Sequence, residues 1–242
     1  MLRTVRFVPT KGASSSTSPI SQEVAVKIRD YFLSLPITGG ERIFEAQLAR
    51  DSGVNRPTIR EACRILETEG LLIYTPNRGY SLKVLSPEEI TSLIEFRLVL
   101  EEAAFVAATN SPNRLHICRR LREAYSLMLE LDDDDDAARQ ISADLEFHRI
   151  ALESMDNPWM VHSFDRMSTQ LRYLIRLMSR SLADFKLSRK SHKVLIDCCQ
   201  RGDIDRMRLE IRKHIYAFQP TLMKRLQSRS SRRNSISGDR AL

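Results

Sequence analysis

Along the first third of the chain the interval between apolar positions changes twice. From Ile20 to Ser34, Val24, Ile28, Tyr31 and Phe32 recur at helical spacing, with Ser21 available to cap the first amides. A shorter run from Ile43 to Asp51 places Phe44, Leu48 and Ala49 on one face, and Ser52-Gly53 supplies the permissive residue that a sharp turn needs. Val54 follows as an apolar plug. Asn55 can cap a third helix with Pro57 in its first turn, where a missing amide donor is tolerated, and with Ile59, Ala62, Cys63 and Leu66 as its inward stripe. After Glu69-Gly70 the period falls to two. Leu71 to Tyr74 and Tyr80 to Val84 read as strands joined by Thr75-Pro76-Asn77-Arg78-Gly79, a hairpin with a basic tip. Helix, helix, tight turn, helix and hairpin is the order of a winged helix-turn-helix, here over residues 20–85.

From Ser86 onward no strand pattern recurs. Ser86-Pro87-Glu88-Glu89 combines a cap, a proline at the first helical position and acids in the first turn, so a domain boundary falls near Leu85. Helices are expected at 86–109, 111–131, 136–155, 157–181, 184–201 and 203–227, broken at Ser111-Pro112, the Asp132 to Asp136 run, Asn157-Pro158 and Gly202-Asp203. The fold is therefore expected to be mainly α: an N-terminal winged helix-turn-helix over 20–85 and a C-terminal all-α bundle over 86–227. Residues 1–19 and 228–242 are too poor in apolar side chains to repay the entropy of ordering, and read as a flexible arm and a flexible basic tail. The aspartate run reads as a solvated loop and helix start, since a calcium loop needs glycine and wider ligand spacing.

Composition narrows the function class. At 242 residues the chain is long enough for one large domain or two of ordinary size, and its 42% hydrophobic and 29% charged residues can supply cores and keep surfaces wet without deciding which. Apolar runs such as Phe105–Ala108 fall far short of the roughly 18 to 20 residues that cross a bilayer, and no signal-peptide pattern follows Arg3 and Arg6. Cytoplasmic residence is expected. A net charge of +7 favours an anionic partner, although solubility alone accounts for a modest excess. Cys63, Cys118, Cys198 and Cys199 have no CxxC spacing and read as reduced packing residues.

A helix that reads DNA must offer polar side chains to base edges from its first turns while nearby cations bind phosphates. Asn55, Arg56, Thr58 and Arg60 meet that need, and either arginine suits a bidentate contact with guanine. Asn77, Arg78 and Gly79 at the wing would follow the minor groove or the backbone. Two such helices related by a two-fold axis, hence a homodimer on a pseudo-palindromic operator, multiply the discrimination available to one. The segments Glu45-Ala46-Gln47-Leu48-Ala49, Gly53-Val54-Asn55-Arg56-Pro57-Thr58-Ile59-Arg60-Glu61-Ala62, Leu66-Glu67-Thr68-Glu69-Gly70-Leu71 and Pro76-Asn77-Arg78-Gly79 together resemble the N-terminal signature of GntR-family regulators. The resemblance implies operator contact by Asn55, Arg56, Pro57, Thr58 and Arg60. Ala46 stands where some members carry an arginine, and Asn55 replaces the usual serine or threonine, so no operator sequence carries over.

Asp144 and His148, four apart in Asp144-Leu145-Glu146-Phe147-His148, share one helix face. His192 and His214 lie ten residues before and twelve after Gly202, so a turn at Gly202-Asp203 between antiparallel helices brings them level. Spacing alone leaves two readings. One is a surface ion pair with packed histidines; the other is a three-nitrogen, one-oxygen site in the bundle, suited to zinc, nickel, manganese or iron with open positions for a ligand. The C-terminal part also resembles the FadR-branch sensory domain called FCD, whose metal-binding members carry Asp-x-x-x-His, a later histidine and another about 22 residues on. Gly202-Asp203 and Asn157 fit that pattern too. The resemblance, spanning roughly residues 20 to 225, implies that Asp144, His148, His192 and His214 hold one divalent ion per chain, zinc foremost. Such a site keeps about one positive charge, which suits a small carboxylate effector, an organic or sugar acid. Arg97, on the first sensory helix, either faces the cavity and holds that carboxylate or pairs with Glu101 four residues on. His116 and His162 fall outside the pattern.

The expected function is a metabolite-responsive transcription repressor, not an enzyme. Three histidines and a carboxylate on a metal could also activate water for hydrolysis, but no separate base, nucleophile or oxyanion donor can be assigned. A nucleoid protein binding DNA without sequence preference is the third reading.

Overall fold

The computed structural model describes residues 19–131, 136–179, 182–217 and 219–226. The expectations for the arm 1–19 (but for Pro19), the aspartate run (but for Asp136) and the tail 228–242 lie outside the described residues. The chain divides into two compact units, Met1–Leu85 and Ser86–Leu242.

In the first unit α1 (Pro19–Ser34) packs on α3 (Arg56–Thr68) through Val24, Ala25, Ile28, Phe32 and Leu33 from one side and Ile59, Ala62, Cys63 and Leu66 from the other. Ser21 is buried inside α1 instead of capping it, because the helix already begins at Pro19. Between them α2 (Glu45–Ser52) buries no residue fully and ends on Gly53, whose φ of 68° is the left-handed conformation the turn requires. Asn55 Oδ1 caps α3 by accepting from Thr58 N at 2.9 Å. Strands β1 (Leu72–Thr75) and β2 (Gly79–Leu82) pair antiparallel, Leu72 opposite Leu82 and Thr75 opposite Gly79.

The expected start of the second helix is corrected. Ile43 is not helical: its N–H donates to Tyr80 O at 2.8 Å, Arg42 bridges Ser81, and Gly40 N and Leu82 N exchange bonds with Leu82 O and Glu41 O at 2.9 Å each. Residues 40–43 therefore run along the free edge of β2. Burial of Ile43 comes from that pairing, and Phe44 is left 59% exposed.

The second unit is helical: α4 (Pro87–Asn110), α5 (Arg114–Glu130), α6 (Ala137–Glu153), α7 (Pro158–Arg166), α8 (Ser168–Met178), α9 (Leu182–Arg201) and α10 (Ile204–Tyr216), with residues 219–226 also helical. Ser86 and Glu89 form a reciprocal capping box at the head of α4, at 3.2 and 2.9 Å. Asp136, Asn157 and Asp203 cap α6, α7 and α10. Against α4 lie α9 and α10, and α5 packs on α6 and α9. The single helix expected over 157–181 is two. Of α7 only Phe164 is fully buried, whereas α8 buries Thr169, Leu171 and Tyr173 to Met178; one straight helix could not lie at the surface for two turns and then enter the core, and the break falls at Met167. All four cysteines are free and buried, with Cys118 Sγ 3.0 Å from Cys199 Sγ between α5 and α9.

Candidate metal centre and nucleic-acid interface

The stripe of α4 that enters the core runs Ile90, Ile94, Arg97, Glu101, Ala104, Phe105 and Ala108, so a cation and an acid occupy positions that the period reserves for apolar residues. α6 contributes Asp144 and His148 from consecutive turns of its inner face, α9 contributes His192, and α10 contributes His214 after the turn at Gly202, whose φ is 71°. One ligand atom from each of Asp144, His148, His192 and His214 lies within 4.8 Å of every other, and all four residues are buried. His148 Nε2 is 3.2 Å from His192 Nε2 and 3.1 Å from His214 Nε2, and His192 Nε2 is 3.2 Å from Asp144 Oδ1.

Each imidazole is oriented from behind. His192 Nδ1 lies 3.0 Å from Ser188 O; a carbonyl only accepts, so Nδ1 carries the proton. Ser191 Oγ spends its own proton on Ser188 O at 2.5 Å and must therefore accept from His214 Nδ1, 2.6 Å away. His148 Nδ1 stands 2.5 Å from Glu101 Oε2, a short contact off the ideal hydrogen-bond direction that places its proton on the same side. All three Nε2 atoms thus turn lone pairs toward one another and toward the Asp144 carboxylate. Facing lone pairs repel unless a cation lies between them. The three separations of 3.1–3.2 Å are close to the roughly 3.3 Å between ligands of a tetrahedral ion with bonds of about 2.0–2.1 Å, while His148 Nε2 to Asp144 Oδ2 is wider at 4.0 Å, so the donor set and tautomers suit a divalent metal.

The electrostatics keep these donors in the right protonation state. Burial opposes ionisation of Asp144, but its neighbours His192, His148 and Arg97 outweigh it and hold its pKa well below the usual carboxylate range. Burial likewise opposes charge on Glu101 and is outweighed by Arg97 and His148, so its pKa is lowered. Burial lowers the pKa of His148 and, with the neighbouring histidines, sends that of His214 well down, so both tend to the neutral, ligating form. Arg97 Nε donates to Glu101 Oε1 at 2.6 Å, and its Nη2 lies 3.6 Å from Asp144 Oδ2. The pairing read from their spacing is present, and Nη2 is buried without an aligned hydrogen-bond partner.

Sequence reasoning did not assign Glu101, Ser188 and Ser191 to the histidines. Glu101 left a signal, an acid on the inward stripe of α4; the Ser188 carbonyl, being backbone, left none.

In the other unit, Arg56 and Arg60 are exposed on α3, with Arg60 Nη2 3.4 Å from Glu45 Oε2 of α2. Asn55 and Pro57 are exposed and Thr58 half-buried. With the Asn55 amide oxygen engaged in the cap, its NH₂ end still offers two donors to another partner. At the wing tip Asn77 and Gly79 have φ of 62° and 75°, Arg78 N donates to Thr75 O at 3.0 Å, and Arg42 Nη2 braces Arg78 O at 2.8 Å. His116 and His162 are exposed and stand apart from the four-residue cluster. No helix among the described residues is long and apolar enough to cross a membrane.

Comparison with known proteins follows the same division. Residues 20–81 match the bacterial regulatory proteins of the gntR family, and residues 92–217 match the FCD domain. A chain of Paenarthrobacter nicotinovorans described as a D-xylose utilization operon transcriptional repressor is 23% identical, over 81% of this chain and 88% of its own. One of Escherichia coli K12 described as an L-lactate dehydrogenase operon regulatory protein is 25% identical, over 91% and 93%. The crystal structure of a chain from Rhodococcus sp. RHA1 described as a GntR transcriptional regulator has the same fold, with a TM-score of 0.71 and 21% identity over 86% of this chain and 99% of that one.

Proposed function

The chain belongs to the gntR family of bacterial regulatory proteins and carries an FCD domain; from that premise we propose that it is a repressor whose operator binding is set by a small organic or sugar acid held at a divalent metal. It is a DNA-binding transcription regulator, not an enzyme, which answers the hydrolase reading. The observation that carries the sensory part is the convergence of three Nδ1-protonated histidines and Asp144 on one buried point. Zinc suits three nitrogens and one oxygen best, with nickel, manganese and iron as alternatives. When bound, the ion supplies a positive, Lewis-acidic anchor for a carboxylate. Arg97 Nη2, facing Asp144, supplies a hydrogen-bond donor beside that anchor, while Glu101, Ser188 and Ser191 keep the imidazoles aimed. Relatives described as regulators of xylose and lactate operons support a small polar metabolite as the signal.

On the DNA side we assign base reading to Asn55, Arg56, Pro57, Thr58 and Arg60, and backbone or minor-groove contact to Asn77, Arg78 and Gly79. The protein works in the cytoplasm as a homodimer on a pseudo-palindromic site. Effector binding repacks the bundle, and the change passes along the chain at Leu85–Ser86 to the reading helices. The test is a competition binding assay between operator and random DNA, with and without metal and candidate acids, alongside metal analysis of protein purified from its native host. Metal near one per chain and an acid-dependent shift in operator affinity are expected. Metal at stray levels, or operator binding indifferent to every acid in the presence of metal, would sink the sensory mechanism and leave the DNA assignment standing.

A further inference from the structure

Phe44 stands at the position before the first turn of α2, where Ser, Thr, Asp or Asn would cap the helix; it makes no side-chain cap and stays 59% exposed. Its ring instead carries the guanidinium of Arg42, whose Cζ lies 5.5 Å from the ring centroid. The same guanidinium reaches the wing tip, where Nη2 donates to Arg78 O at 2.8 Å. Arg78 N already donates to Thr75 O at 3.0 Å, closing a turn in which Asn77 has a φ of 62°. Both backbone groups of Arg78 are therefore engaged, and its exposed side chain is the part left to meet another molecule.

A hairpin of two four-residue strands is marginal by itself, and its tip lies at the end of the pairing that holds it. Arg42 gives that tip a reference outside the hairpin. Its backbone bridges Ser81, the next residue Ile43 donates to Tyr80 O, and Phe44 then leads directly into α2, which packs on α3. We propose that Arg42 is a positioning residue for the wing: stacked on Phe44 and bonded to Arg78 O, it fixes where the Arg78 side chain stands relative to α2 and α3, so that wing and reading helix engage one duplex together. The proposal rests on Arg78 meeting the DNA backbone. One exposed hydrogen bond to a carbonyl adds little to folding, so the contact acts through DNA binding and not through stability.

The test is fluorescence-anisotropy titration of the full chain against a mixed-sequence DNA duplex over a range of salt, since a backbone contact needs no particular operator. Arg78→Ala should lower the slope of log affinity against log salt by about one contact. Arg42→Met keeps the aliphatic stem, removes every donor and should lower the slope by a similar amount. The double variant should bind within about twofold of Arg78→Ala alone, because two residues acting through one contact are not additive. Phe44→Leu changes no charge and should weaken binding about two- to fivefold, the worth of an exposed cation–π contact, but only while Arg78 is present. That comparison stands even if Arg42→Met does not fold. A slope lowered by about two in the double variant would make Arg42 a phosphate contact in its own right and overturn the proposal. So would an unchanged slope in Arg42→Met, or a Phe44→Leu loss that persists in the Arg78→Ala background. If Arg78→Ala itself alters neither affinity nor slope, the wing reading fails and takes this proposal with it.

Discussion

His148 sits between two demands: Nε2 must present a lone pair to the cluster, and Nδ1 must keep its proton 2.5 Å from Glu101 Oε2. Glu101 meets the second demand as long as Arg97 holds its charge in the core. Glu101→Gln removes that charge while nearly keeping the shape, and should weaken metal affinity about 10–100-fold, the usual worth of an outer partner of a metal-binding histidine. Titration against a competing chelator reads this directly, and an unchanged affinity would reduce Glu101 to a partner of Arg97 alone. His214→Ala removes one of the four proposed ligands itself. Metal content should fall to stray levels and effector response vanish while operator binding remains measurable. Retention of the full response would show that the ligand acts elsewhere.

The helix and hairpin that carry the proposed DNA-contacting residues make separable predictions. Arg56 projects from the first turn of α3, so Arg56→Ala should cost about 1–3 kcal/mol of discrimination between operator and random DNA, whereas Arg78→Ala at the wing tip should weaken both and flatten the salt dependence by about one phosphate contact. Equal losses for Arg56→Ala on both DNAs would reassign it to phosphate. The packing of this unit also has an alkaline limit. Burial pushes the Tyr80 hydroxyl to about 12 from 10.0, helped by Glu67, and pushes the Cys63 thiol to about 12 from 9.0. The fold therefore holds protons that the unfolded chain releases. The contribution is complete below the unfolded values and is lost as pH rises toward 12, on the order of 2 kcal/mol per group. Thermal melts between pH 8 and pH 11 should show a falling midpoint, and Tyr80→Phe should flatten its upper part; an unchanged slope would mean that Tyr80 ionises as freely folded as unfolded.

At the scale of the whole chain, a metal that ties α6, α9 and α10 together belongs to the folded state alone, so saturating it at about a hundred times its Kd should add about 2.7 kcal/mol of stability. Calorimetry of chelated and zinc-loaded protein should show that gain as a higher melting temperature, and identical melts would mean that the four residues hold no ion tightly. Within the sequence itself lay the helix, helix, turn, helix and hairpin order of the first unit, the capped starts at Asn55 and Ser86, the breaks at Asn157-Pro158 and Gly202-Asp203, and the shared helix face of Asp144 and His148. Those features depend on residues within a turn or two of one another, where period and capping chemistry act. Residues 40–43 came to lie along the edge of β2 only because β2 offered unpaired backbone groups, and 157–181 became two helices only because the core takes up α8 and leaves α7 near its surface. The proton positions on the three histidines were likewise decided by a distant acid, a backbone carbonyl and a serine hydroxyl. Tertiary structure alone settles such choices, because the partner that satisfies a buried polar atom is selected by packing across the chain, and no local period records it.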